Sequence, residues 1–152
     1  MHFGRLSILA TISAASFMVN AKAESVHFSS QDFTVTCTGW KTVLDAPAKI
    51  PLVGCSVPGN VVVHRYKPKE KCDSDWGQNF HILNKGKAEI ECASDAYGAE
   101  MEISQSLKHG KIIRGDGWEC KGVGKDGIEC KNSDGNKFFL SSKRQVLSNK
   151  NH

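Results

Sequence analysis

The sequence predicts an all-β fold, a small antiparallel sandwich or barrel-like meander stapled by disulfides. Short β-forming runs recur at close spacing, and Gly, Asn, Asp or Pro punctuates each of them. Six cysteines follow an N-terminal export signal, the even count of a disulfide framework. No segment sustains a helical period.

Residues 1–23 read as a signal peptide. Met1 to Ser7 carries Arg5 and no acid, and Ile8 to Val19 is apolar but short for a bilayer span. Ala21-Lys22-Ala23 is a small-x-small cleavage pattern with no adjoining Cys, which argues against a lipid anchor. Cleavage would leave Glu24 to His152, 152 − 23 = 129 residues, the size of one domain. The leader holds Arg5 and Lys22, so the processed chain has 20 − 2 = 18 basic residues against 16 acidic ones, a net charge of +2. That balance gives no electrostatic footprint for nucleic acid. The basic clusters Lys67–Lys71 and Lys143–Lys150 read as solvated loop and tail. Nothing after the leader calls for stable membrane insertion, and the expected location is periplasmic or secreted.

The elements follow in order. Glu24 to Gln31 reads as a loose polar lead-in, and Phe33 to Thr38 as a strand. Leu44 to Pro51 contains Pro47 and Pro51 and reads as an irregular connection. Leu52–Val57 and Val61–Tyr66 flank Pro58-Gly59-Asn60, where Pro presets one turn dihedral and Gly accepts another. Phe80–Leu83 and Ala88–Cys92 flank the turn Asn84–Lys87. Ala88, Ile90 and Cys92 alternate with Glu89 and Glu91, the pattern of a sheet with one wet face. Ala93 to Ser106 fits either a strand or a short helix. Ile112–Arg114 leads into Trp118–Leu140, three strand-like runs separated by Asp126-Gly127 and Asp134-Gly135 turns. Ser141 to His152 reads as a fraying tail.

Cys37, Cys55, Cys72, Cys92, Cys120 and Cys130 all lie beyond the leader. None forms a Cys-x-x-Cys pair and no His stands at zinc-finger spacing, so no structural zinc is expected. Nearest-neighbour pairing, Cys37–Cys55, Cys72–Cys92 and Cys120–Cys130, lets each bridge bracket one turn-rich segment. Each closure stabilises by roughly 2–4 kcal/mol, mainly by restricting the unfolded chain.

Chemistry is sparse. Oxidised cysteines leave no thiolate nucleophile. The Gly-x-Ser-x-Gly elbow, the His-Glu-x-x-His pattern and a phosphate-cradling Gly-Lys-Ser/Thr loop are missing from the sequence. His27, His64, His81 and His109 are scattered, with surface or packing roles as the default. A Cys72–Cys92 bridge would draw Asp73, Asp75 and Asp95 together beside Trp76. Such a group suits a glycosidase-like acid/base pair or a calcium site. Short Asp side chains that cap turn amides are the commoner arrangement, and Trp76 is more often a core plug than a sugar platform. No catalytic residue, metal or cofactor is therefore assigned, and Asp73, Asp75, Trp76 and Asp95 stand as a candidate binding loop.

Cys72-Asp73-Ser74-Asp75-Trp76-Gly77, Cys92-Ala93-Ser94-Asp95, Gly117-Trp118-Glu119-Cys120 and Gly127-Ile128-Glu129-Cys130-Lys131-Asn132 occur in that order. This arrangement resembles a family of small secreted six-cysteine bacterial proteins known only as a domain of unknown function. The resemblance covers Phe33 to Leu147. It implies export and sequential disulfides and no particular reaction. The chain departs from that pattern at Val35-Thr36-Cys37, His109-Gly110 and Lys137. The expected function is a non-enzymatic binding or inhibitor-like module of the envelope or extracellular space, with a protein or envelope polymer as partner. The alternatives are a small glycan or cell-wall hydrolase using the clustered Asp residues, and a structural envelope protein.

Overall fold

A computed structural model describes residues 24–41, 52–61, 65–83, 85–93, 95–98 and 102–150. The leader, the Leu44–Pro51 connection and His64 lie outside these residues. Two sheets pack face to face. The first is built from β1 (Ser25–Ser30), β2 (Thr36–Trp40), β3 (Val53–Ser56), β4 (Asn79–Ile82), β5 (Ala88–Ile90) and β6 (Gln105–Leu107), in the order β5-β4-β3-β2-β1-β6. The second is a simple meander of β7 (Ile112–Gly115), β8 (Trp118–Val123), β9 (Gly127–Asn132), β10 (Lys137–Leu140) and β11 (Gln145–Ser148). The sheets do not close into a barrel, so the sandwich is the architecture.

The three bridges are Cys37–Cys55, Cys72–Cys92 and Cys120–Cys130, the sequential pairing expected. Two of them join residues directly opposite each other on neighbouring strands, Cys37↔Cys55 on β2 and β3 and Cys120↔Cys130 on β8 and β9. All four of these cysteines are fully buried. Cys55 Sγ lies 3.8 Å from Cys130 Sγ, so one bridge stacks on the other across the sandwich. Both sulfurs are oxidised and carry no proton, and the contact is dispersion between polarisable atoms rather than a hydrogen bond.

Around the stacked bridges the inward residues alternate along each strand. Phe28, Val53, Phe80 and Ile82 come from the first sheet, and Ile128, Phe138 and Leu140 from the second. Trp118 closes one side. Its ring stacks on Phe28 at a centroid distance of 6.0 Å, and its Nε1–H donates to the Trp40 carbonyl at 2.7 Å. A Cβ on Gly39 would lie 2.3 Å from Trp118 Cζ2, so glycine there is what lets the indole approach the sheet. At the end carrying the β9–β10 turn, Asn132 Nδ2 donates to the Leu83 and Gly86 carbonyls and Asn136 Nδ2 also donates to Gly86. These amides tie the β4–β5 turn to the second sheet. The open edge of β5 is covered by Asn149, whose amide exchanges two hydrogen bonds with the Ala88 backbone as a strand would.

Several segments differ from the sequence reading. Glu24–Gln31 is not a loose lead-in: Ser25–Ser30 forms β1 between β2 and β6, with Phe28 fully buried. The tail is paired through β11, and Gln145 is buried with Nε2 donating to the Val61 carbonyl. Gly59–Val61 is a 3-10 turn, and Arg65 and Tyr66 are not strand. Phe33 sits in a turn, and β2 starts at Thr36. β6 pairs with β1 in parallel, the exception in an otherwise antiparallel fold. Parallel pairing requires a long crossover, and the connection from β5 to β6, described at residues 91–93, 95–98 and 102–104, supplies it.

Exposure sets the expected order of reduction. Cys92 is exposed and Cys72 half-buried, whereas the two stacked bridges are closed to a reductant's thiolate. Mild reductant on the folded protein, followed by alkylation and peptide mapping, should label Cys72 and Cys92 first. The other four should resist until denaturant is added. Gly39→Ala should destabilise by about 1–3 kcal/mol through displacement of Trp118, read by urea unfolding.

Candidate functional site

The crossover that makes β6 parallel also lays a strap over the outer face of the first sheet. Asn79, Ser56, Thr36 and Ser29 are cross-strand neighbours on β4, β3, β2 and β1. Three of them hold the strap. Asn79 Nδ2 donates to the Ala93 and Asp95 carbonyls at 3.0 and 2.7 Å. Ser56 Oγ accepts the Tyr97 N–H at 2.6 Å and donates to Asn79 Oδ1 at 2.6 Å. Thr36 Oγ1 donates to the Tyr97 carbonyl at 2.6 Å. Small polar residues suit these three positions because each satisfies a strap amide or carbonyl that the sheet would otherwise bury unpaired. Ser29 Oγ, at the far end, has no partner among the described residues.

Tyr97 then lies across Gly54, where a Cβ would fall 2.3 Å from Tyr97 Cζ. Its hydroxyl donates to Glu91 Oε2. Burial pushes the Tyr97 phenol well above its ordinary range, and the Glu91 hydrogen bond and charge push the same way. His81 neighbours Gly54 on one side and Glu89 on the other. Burial lowers the His81 imidazole from its ordinary 6.5, against the pull of Glu91 and Glu89, which favour the cation. Its Nδ1 is buried without a partner among the described residues, so a proton there would gain no hydrogen bond.

The Cys72–Cys92 bridge joins the loop before β4 to the start of the strap. Asp73, Asp75 and Asp95 are all exposed, and Trp76 is half-buried. Asp73 pairs with Lys71 at 3.5 Å, both groups in water. The Asp95 backbone carbonyl is the group held by Asn79. No trio of His, Cys, Asp or Glu among the described residues is placed to hold a metal ion. The residues that anchor these loops, Asn79, Ser56, Thr36, Tyr97 and Glu91, were not singled out by sequence reasoning. Only the alternation of Glu89 and Glu91 with apolar neighbours marked this face.

Among the described residues, two clefts open at the end of the sandwich holding the β4–β5, β7–β8 and β9–β10 turns. One, of about 400 Å³, lies between Gly117 and Gly135 and includes Trp118, Glu119 and Lys131. Hydrogen bonding from Lys131 holds the Glu119 carboxyl below its usual range against a small opposing burial effect, with help from Arg114. The other, about 570 Å³, is lined by Lys69, Leu83, Lys85, Gly86, Lys87 and Glu89. Each offers a single carboxylate. Neither is lined by Asp73, Asp75 or Asp95.

Fold and site together define a disulfide-stapled two-sheet module whose loops are mounted on a rigid frame. The chain belongs to DUF6636, a family of unknown function whose profile matches residues 4–148. No curated protein and no solved structure matches the chain. Three disulfides are compatible with an oxidising, extracytoplasmic setting. Among the described residues no helix is long and apolar enough to cross a membrane.

The lowered His81 value sets a pH dependence. Below pH 6.5 the unfolded chain binds the His81 proton and the folded chain does not, so stability falls as pH drops through that window. Above pH 6.5 both states are neutral at this group and its contribution is constant. Unfolding midpoints of the parent and His81→Gln, compared from neutral to mildly acidic pH, should diverge below 6.5, with the parent losing stability faster.

Proposed function

We propose that the protein is an exported, non-enzymatic recognition module that presents the 72–78 and 92–98 loops to a protein or polymer of the cell envelope or its surroundings. One observation carries this reading. The Cys72–Cys92 bridge and the Asn79–Ser56–Thr36 row fix both loops to the sheet, while Asp73, Asp75 and Asp95 keep their carboxylates in water. Loops on a rigid frame lose little freedom on binding, which favours recognition. Glycan hydrolysis needs two carboxylates facing one cleft, and neither of the two clefts is lined by such a pair among the described residues.

The test is capture by the immobilised, oxidised chain from Glu24 on, using envelope extract and culture supernatant. The parent should retain one stoichiometric partner. Asp73→Ala/Asp75→Ala/Asp95→Ala should bind that partner about tenfold or more weakly with an unchanged unfolding midpoint. Equal capture by this variant, or turnover of a glycan that the variant loses, would remove the recognition reading of these loops.

A further inference from the structure

Phe33 is the exception to two rules at once. Among the described residues it is the only non-glycine with positive φ, at 62°, and it is 60 % exposed. The turn that holds it is well fixed. Asp32 Oδ1 accepts from the Thr34 N–H at 3.0 Å and the Ser30 hydroxyl at 2.9 Å, and Asp32 N–H donates to the Lys125 carbonyl at 3.1 Å. Burial alone would raise the Asp32 carboxyl; the bonds from Thr34 and Ser30 outweigh it and hold it below its usual range. The chain thus holds a large apolar ring in water on a left-handed backbone that Gly or Asn adopts more easily. The backbone is held from within, by the Asp32 bonds and by the Phe33 N–H, which donates to the Ser30 carbonyl at 3.1 Å, and the exposed ring is the part of the turn left facing solvent.

The surroundings name the kind of partner. Lys125 belongs to the β8–β9 turn that docks on Asp32. The β6–β7 connection meets the same turn through the Gly124 N–H to His109 Nδ1 bond, and brings exposed Lys108 and Lys111. The β10–β11 connection meets it through Ser142 and Asp126, and brings exposed Lys143 and Arg144. Four neighbouring turns therefore carry Phe33 and five exposed cations. Their two acids, Asp32 and Asp126, are engaged in hydrogen bonds within the chain.

We propose that this corner docks the protein on an anionic phospholipid surface, with Phe33 seated among the headgroups and Lys108, Lys111, Lys125, Lys143 and Arg144 attracted to the phosphates. A single ring at the tip of a hairpin, with cations spread over separate turns, suits a broad anionic plane better than a pocket. Partial insertion of an apolar group and attraction of nearby Lys and Arg reinforce each other at such a surface. This inference rests on other turns than the acidic loops and holds whichever partner those loops take.

The experiment is flotation of the oxidised chain from Glu24 on, which carries the eleven described strands, with vesicles of phosphatidylglycerol in phosphatidylcholine and with phosphatidylcholine alone. The protein should float with the anionic vesicles, weakly in high salt, and stay behind with the neutral ones. Phe33→Asn should keep or raise the unfolding midpoint, because Asn accepts positive φ, while flotation falls several-fold. Phe33→Trp should show blue-shifted emission with anionic vesicles only. The acidic-loop triple variant should float like the parent, which separates this surface from the loop reading. The proposal is overturned if anionic vesicles retain nothing, if Phe33→Asn floats like the parent, or if Phe33→Asn instead abolishes capture of an acidic protein.

Discussion

The contact between Cys55 and Cys130 at the centre of the sandwich governs the rest of the molecule. Each of the two stacked bridges locks a register, Cys37 opposite Cys55 and Cys120 opposite Cys130. A strand has a side-chain period of two, so a slip by one residue would send its apolar set to the solvent face. With register fixed, the inward positions of the flanking strands follow by counting. Phe80 opposite Cys55 and Phe138 opposite Cys130 must then face the gap, and both are fully buried. They meet there, with ring centroids 6.1 Å apart. Six strands, β2, β3, β4, β8, β9 and β10, therefore carry the middle of the core as two rungs of sulfur flanked by aromatic rings.

The margins of the sandwich are closed by an indole on one side and by side-chain amides on the other. Trp118 fills the side beside β1 and β2, and does so because Gly39 offers a flat backbone and the Trp40 carbonyl accepts the indole proton. On the other side Asn149 pairs the free edge of β5, and Asn132 and Asn136 bind the β4–β5 turn. Primary amides serve well at such places because each donates and accepts, as a peptide unit does. The same reasoning explains the strap. A crossover that lies on a sheet buries its own backbone groups, and the Asn79, Ser56 and Thr36 side chains supply the partners.

How much of this could be read beforehand depends on whether the signal was local. The Asp126-Gly127 and Asp134-Gly135 turns were, because turn chemistry is decided within four residues. The disulfide pairs were as well, since each joins neighbouring strands or loops. β1 was not: Ser25–Ser30 offers only Val26 and Phe28 as an alternation, and it gains its place by pairing on both sides. β11 was hidden for a similar reason, with a buried Gln145 where a core strand would show an apolar residue. At the candidate site Asp73, Asp75, Trp76 and Asp95 stood out because they sit near cysteines. Asn79, Ser56, Thr36 and Tyr97 did not, because their role exists only after the chain has crossed from β5 to β6. Polar residues inside strand-like runs carry that information jointly, and no one of them carries it alone.

Turn geometry shows where the fold obeys its local rules and where it departs from them. Gly77, Gly86, Gly98, Gly110, Gly117, Gly124 and Gly135 all take positive φ, and each does so without a side chain to strain. At the β1–β2 turn the same backbone region is given to Phe33, at a cost on the order of 1–3 kcal/mol. That cost is offset nearby, by the Asp32 carboxylate bound to Ser30 and Thr34 and by the Lys125 carbonyl that holds the Asp32 amide. Three groups are thus spent on keeping one aromatic ring in an unfavourable place. Among the described turns those seven glycines follow local preference and Phe33 reverses it, which makes that position the most telling of them.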